Sequence, residues 1–293
     1  LLSLLLSGKL YIDLNDLNGF VPEFTYYLIV SSIPLLLLFL IDDYKGLKAR
    51  YRLLIQASVS FYVIFSTGIQ LESFGNLLGF GDINLGVLSV PVTIFCAVGI
   101  MNAFNMIDGI NGLCAGCAMI ALLLIGFHSG LIYDSMLVLI IGSMIGFLIF
   151  NLRIFGKKRG VFLGDNGSNL IGFWVAWTAI YCSQNPLYDC NPNTMIWFVA
   201  IPLLDCIGLI FSRLKRGIGI SSPGRDHIHH KLMNRFTPEI TLVIILMISL
   251  ISGLIGIFLS HSFEQWVSTF IFAIYALCYY LYAYYYSNFK NKI

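Results

Sequence analysis

The sequence predicts an all-α, polytopic transmembrane helix bundle, on three observations. Hydrophobic residues make up 58% of the 293 and charged residues 11%, with a mean hydropathy of +0.85, where a soluble domain has roughly 45 to 50% apolar residues. Nine apolar runs approach the ~20 residues of a membrane span, at 25–41, 53–69, 87–105, 113–130, 135–151, 168–183, 195–212, 240–260 and 266–286. Together with the apolar segment that opens the chain they give about ten helices. Finally, 16 of the 17 basic residues fall in alternate loops, around 45–52, 153–159, 213–235 and 290–292. Lys and Arg in short loops stay on the cytoplasmic side, so these loops and the C-terminus are predicted to be cytoplasmic.

The first ten residues, LLSLLLSGKL, are too short to cross and have neither an initiator Met nor a basic leader, so they read as the tail of a cut helix. The run at 25–41 ends in Asp42-Asp43-Tyr44-Lys45, with two carboxylates at the membrane boundary. Neighbours on a helix point ~100° apart, so one carboxylate can face the bundle while the other meets a loop or ligand. The plainer alternative is a solvated helix end beside Lys45 and Lys48.

At the end of the run at 87–105, Asn102, Asn105, Asp108 and Asn111 recur every three residues and are expected to share one helical stripe. Polar groups at a bilayer edge need partners. Helix–helix hydrogen bonding accounts for the amides better than for Asp108, and Gly109 and Gly112 point to a loosened backbone or a close ligand. In the next run, Cys114 and Cys117 form a CxxC inside a membrane helix with no second pair. They read as small hydrophobes, as do most of the seven Cys.

Ahead of 168–183, Lys157-Lys158-Arg159 leads into Gly164-Asp165-Asn166-Gly167-Ser168. A helix N-terminus with a Gly-bounded Asp suits an anion or a hard cation, although Asp165 could equally be an N-cap. Asp205, within 195–212, is costly to bury; it faces the same cavity or pairs with Arg213. The loop that follows holds three of the five His, as Arg225-Asp226-His227-Ile228-His229-His230-Lys231. No Cys or HExxH pattern supports zinc there, so these side chains read as donors to a phosphorylated or hydroxyl-rich ligand. His128 and His261, at outer ends, read as structural.

No internal repeat or linker divides the chain, and one domain over 1–293 is expected. Intramembrane carboxylates also mark transporters, but here the acids gather at one interface rather than the midplane. The arrangement fits metal-assisted phosphoryl chemistry at a membrane surface.

The segments Asp42-Asp-Tyr-Lys-Gly-Leu, Asn102-Ala-Phe-Asn-Met-Ile-Asp-Gly-Ile-Asn-Gly-Leu, Phe162-Leu-Gly-Asp-Asn-Gly-Ser and Ser222-Pro-Gly-Arg-Asp-His-Ile-His-His-Lys resemble, in this order, those of the polyprenyl-phosphate N-acetylhexosamine-1-phosphate transferases. The His-Ile-His-His form is similar to the branch that transfers N-acetylglucosamine 1-phosphate from UDP-GlcNAc to undecaprenyl phosphate, releasing UMP and starting a lipid-linked cell-surface glycan. UDP-GalNAc or another UDP-N-acetylamino sugar is the alternative donor. The resemblance implies eleven helices, of which this chain would lack the first, together with the first cytoplasmic loop. It implies a bacterial inner-membrane enzyme using Mg²⁺, with Mn²⁺ as a substitute. The metal would be held by Asp165 and Asp108. Asp42, Asp43 and Asp108 would carry the catalytic work, Asp42 or Asp43 deprotonating or orienting the lipid phosphate. Lys45, Asn102, Asn105, Asn111, Arg225, His227, His229 and His230 would bind substrate. Direct attack and a two-step route through an aspartyl-phosphate are both open. Expected partners are the UDP-sugar, undecaprenyl phosphate and membrane lipids, with no nucleic acid and with a homodimer as an assembly to test. Asn111 departs from the family pattern, which has a second Asp there.

Overall fold

The structure, a computed structural model, describes residues 23–133, 135–156, 158, 160–219, 224 and 226–290; of Glu23, Asp43, Tyr133, Ser135 and residues 284–290 it describes the backbone only. Eleven α-helices form among the described residues: α1 (Glu23–Lys45), α2 (Ala49–Thr67), α3 (Ser89–Ile107), α4 (Leu113–Ser129), α5 (Ser135–Asn151), α6 (Gly164–Gln184), α7 (Pro192–Phe198), α8 (Ala200–Lys215), α9 (Ile228–Met233), α10 (Pro238–Ser262) and α11 (Gln265–Lys290). Each of the nine apolar runs lies on helix. By length and composition, four segments can cross a membrane, Phe24–Asp42, Gly86–Ile107, Pro238–Ser262 and Gln265–Ala283, or five if the bent pair α7–α8 is one span. The other runs fall below that mark. For α2 and α6 the reason is chemical, since Arg50, Arg52 and Gln56 on one and Asp165 and Asn169 on the other dilute their apolar content.

Two long helices organise the bundle: α3 packs most extensively on α6, and α2 and α8 also lean on α3. Gly172 allows the close crossing, because a Cβ there would lie 2.8 Å from the Cα of Met101. One apolar core gathers α4, α7 and α10 around Phe104, Trp197 and Phe198, and a second joins α1 and α2 to Phe173 and Trp177 of α6. Outside these cores the surface remains apolar. Phe65 is 80% and Phe95 78% exposed, a pattern suited to hydrocarbon rather than water.

The run expected as one span at 195–212 is broken: α7 and α8 meet at 84°. Pro202 has no N–H for the carbonyl four residues back, Phe198, so the ladder cannot continue across Val199. The polar stripe expected from Asn102 to Asn111 is also cut short. Helix α3 ends at Ile107, Asp108 leaves helical geometry at φ −73°, ψ 66°, and Gly112 takes φ +83° to start α4. Asn102 and Asn105 are therefore on α3, while Asp108 and Asn111 belong to a turn. That turn is pinned from α5, where Asn151 Oδ1 accepts the Gly112 N–H at 2.5 Å and Asn151 Nδ2 donates to the Val161 carbonyl at 2.8 Å.

Candidate active site

The basic loops converge at one end of the bundle, and a guanidinium joins the first motif to the third. Arg52, one turn into α2, places Nη1 3.2 Å from Asp42 Oδ2 and 3.3 Å from Asp165 Oδ2. Asp42, at the end of α1, is only 8% exposed, and its Oδ1 accepts the Leu47 N–H at 2.6 Å, which folds the chain back toward α2. Asp165 lies in the first turn of α6, just after Gly164 at φ +65°, and its side chain is 47% exposed. It is not the N-cap weighed from sequence; that position is Leu163.

Beneath the carboxylates lies a relay of amides. Asn102 Nδ2 donates to Gln56 Oε1 at 2.9 Å, Gln56 Nε2 donates to Asn169 Oδ1 at 2.8 Å, and Asn169 Nδ2 donates to the Asp165 carbonyl at 2.7 Å. Asn105 Oδ1 accepts from Ser168 Oγ at 2.8 Å. These amides and the Ser168 hydroxyl of α2, α3 and α6 thus satisfy one another, which fixes the helix register around Asp165. Asp108 stands close enough to feel this charge. Its carboxyl is raised to about 6, first by burial and then by Asp165.

The histidine segment closes over the same turn. An ideal Cβ at Gly109 would lie 2.0 Å from His229 Nε2, so the imidazole rests on the bare backbone beside Asp108. His229 is 1% exposed, and neither ring nitrogen has a hydrogen-bond partner. Burial, then His230 and His227, lower its pKa to about 4, leaving it neutral at pH 7. The three rings pack together, with His227 5.2 Å and His230 4.1 Å from His229 between centroids. His227 is tied from below: its Nδ1 lies 2.8 Å from Oδ2 of Asp205 on α8. Asp205 Oδ1 accepts from the Ile228 N–H at 2.9 Å and from Tyr279 Oη of α11 at 3.1 Å. Of the two roles weighed for Asp205, the structure gives neither Arg213 nor the open cavity; it is the buried anchor of His227.

Of the residues read from sequence, the structure brings Asp42, Asp108, Asp165, Asn102, Asn105, His227, His229 and His230 to this end. Lys45 is exposed on the last turn of α1, and Asn111 is half-buried in the turn. Arg225 and the Asp43 side chain lie outside what is described. Asp226 is drawn instead into an exposed pair with Arg216. Arg52, Gln56 and Asn169 were missed as site residues. The signal was present, since Arg52 and Gln56 are spaced i, i+4, with Gln56 inside an apolar run, and Asn169 is one turn beyond Asp165. At the opposite end His128 packs edge-on against His261 at 5.4 Å, consistent with the structural role read for them.

Asp165 and Asp108 offer hard oxygen donors, and their mutual repulsion would be relieved by a cation. Among the described residues no three His, Cys, Asp or Glu side chains gather as a metal cage. A cation here would complete its shell with water and substrate phosphates, the pattern Mg²⁺ favours over an all-protein cage.

The model of glycosyl transferase family 4 matches residues 25–183. The chain is 32% identical over 274 residues to the undecaprenyl-phosphate alpha-N-acetylglucosaminyl 1-phosphate transferase of Yersinia pestis, covering 91% of this chain and 74% of that protein. To the protein of the same name from Escherichia coli K12 it is 31% identical over 272 residues, 90% of this chain and 73% of the relative. To that of Haemophilus influenzae it is 32% identical over 241 residues, 79% and 67%.

Proposed function

Because the chain belongs to glycosyl transferase family 4, we propose that it transfers N-acetylglucosamine 1-phosphate from UDP-N-acetylglucosamine to undecaprenyl phosphate, releasing UMP. One observation carries the reading within the molecule: Asp42 and Asp165, from distant motifs, share Arg52 beside Asp108, with the histidine segment seated on Gly109. In the reaction an oxygen of the lipid phosphate forms a bond to the β-phosphorus of the donor. The bond from that phosphorus to the bridging oxygen breaks, and its electron pair leaves with UMP.

A phosphate monoester has a second pKa near 6 and is mostly dianionic at neutral pH, so the acceptor needs placement more than deprotonation. Asp42 holds Arg52 from one side, which leaves further N–H donors of the guanidinium fork for phosphate oxygens. Asp43 is assigned the role of orienting the acceptor or taking its remaining proton. Neutral His229, with His227, His230 and Arg225, binds the sugar and diphosphate, while Asn111 and Lys45 line the approach. Asp165 and Asp108 would hold Mg²⁺, or Mn²⁺ in its place, which when bound neutralises diphosphate charge and eases the departure of UMP. The one-sided basic residues support a site on the cytoplasmic face of the bacterial inner membrane.

The test is UMP release by the purified protein with undecaprenyl phosphate and a panel of UDP-sugars, with and without EDTA. Metal-dependent release confined to UDP-N-acetylglucosamine is expected, and Asp165→Asn is expected to abolish it. Release with another donor only would overturn the sugar, and undiminished turnover of Asp165→Asn would overturn the metal assignment.

A further inference from the structure

We propose that Asp205 is a positioning residue: from beneath the site it fixes the His227 imidazole with Nδ1 as donor and so presents Nε2 to the bound UDP-sugar. The proposal deepens the reading of the histidine segment as donor-binding and rests on it.

Asp205 sits in the second turn of α8 and is 5% exposed, and His227 above it is 7% exposed. Two donors converge on Oδ1, the Ile228 N–H at 2.9 Å and Tyr279 Oη at 3.1 Å, while Oδ2 lies 2.8 Å from His227 Nδ1. A carboxylate oxygen held this way acts as an acceptor. The geometry thus assigns the proton of the Asp205–His227 contact to Nδ1, which leaves the lone pair on Nε2. Nε2 then accepts from a hydroxyl or amide of the sugar.

The contacts fix place as well as tautomer. His227 is the N-cap of α9 without capping its own helix, and Asp205 instead takes the Ile228 N–H, the first of α9. The ring is thus held from α8 and, through Tyr279, from α11. Its stack with His229 passes that placement to the imidazole resting on Gly109.

Asp205→Asn keeps an oxygen for Ile228 and Tyr279 but turns an NH₂ toward Nδ1, which favours the opposite tautomer. Its melting temperature should stay near wild type while kcat/KM for the UDP-sugar falls at least about tenfold, with KM for undecaprenyl phosphate unchanged. In a His227→Ala background the same change should cost less than about twofold, as expected for a residue acting through another. Tyr279→Phe, which leaves the Asp205–His227 contact in place, should lose less than Asp205→Asn. An equal loss in both backgrounds, or a loss that merely follows the folded fraction, would overturn the proposal. Nitrogen-15 NMR of labelled histidines without substrate gives a readout independent of activity: His227 should show a protonated Nδ1, reversed in Asp205→Asn. A neutral Nε2–H tautomer in the wild type sinks the proposal whatever the enzyme acts on. The expected tautomer with no turnover of any UDP-sugar would sink the donor reading and leave the positioning intact.

Discussion

A single methyl group at Gly109 should damage the site without removing any of its polar groups. The added Cβ would lie 2.0 Å from His229 Nε2, and Gly109 has no positive φ, so the backbone accepts a side chain and the cost falls on the imidazole. Gly109→Ala is expected to lower kcat/KM about 100-fold, the size of effect that ~1 Å misplacements produce, with little change in melting temperature. Near-normal turnover would show that His229 is not seated against the ligand. His229 also sets a pH limit on stability. Its folded pKa of about 4, lowered mainly by burial, lies below the ordinary value near 6.5. Between those values the unfolded chain binds the extra proton and the folded chain does not, so stability present above pH 6.5 is lost as pH falls toward 4. The loss by pH 5 is on the order of 2 kcal/mol. Replacing His229 with Gln should flatten this part of a melting-temperature profile between pH 7 and 5; an unchanged slope would locate the sensitivity elsewhere.

Among the elements, α7 shows how a short helix is made indispensable. Trp197 is 1% exposed, donates from Nε1 to Ser268 Oγ at 3.1 Å and packs edge-on against Phe272 at 4.9 Å. A Cβ on Gly256 of α10 would lie 2.5 Å from Trp197 Cβ, so the indole lies directly against the neighbouring backbone. Trp197→Ala should cost about 3–5 kcal/mol, read by unfolding in detergent, and a cost below about 1 kcal/mol would mean that α7 is not locked there. Helix existence was legible because long apolar runs leave little choice in lipid. The breaks were less so. Pro202 announced the bend within 195–212, but its effect was masked by apolar residues on both sides. The three-residue spacing of Asn102, Asn105, Asp108 and Asn111 mimicked a helix that stops at Ile107, because Gly109 and Gly112 allow a turn that keeps the same spacing.

For the whole molecule, sidedness is an expectation drawn from where Lys and Arg sit rather than from how helices pack. It can be checked directly. With a membrane-impermeant maleimide on intact cells, Asn84→Cys, exposed in the loop expected to face outward, should be labelled and Lys45→Cys should not; the reverse result would invert the orientation. The chemistry was legible as four motifs, but the way they join was not. Arg52 meets Asp165, and Gln56 meets Asn169, each across 113 residues of sequence. Local periodicity shows that a polar residue in an apolar run needs a partner without saying which. His227 illustrates a further consequence of such long-range joining. Its anchor is shared with Tyr279, and α11 leaves the ribosome after the other ten described helices. The carboxylates can assemble while synthesis is still under way, but the histidine clasp is completed only when α11 has entered the bilayer. A chain stalled before that helix would hold its acidic residues together while the carboxylate beneath His227 still lacked its Tyr279 partner.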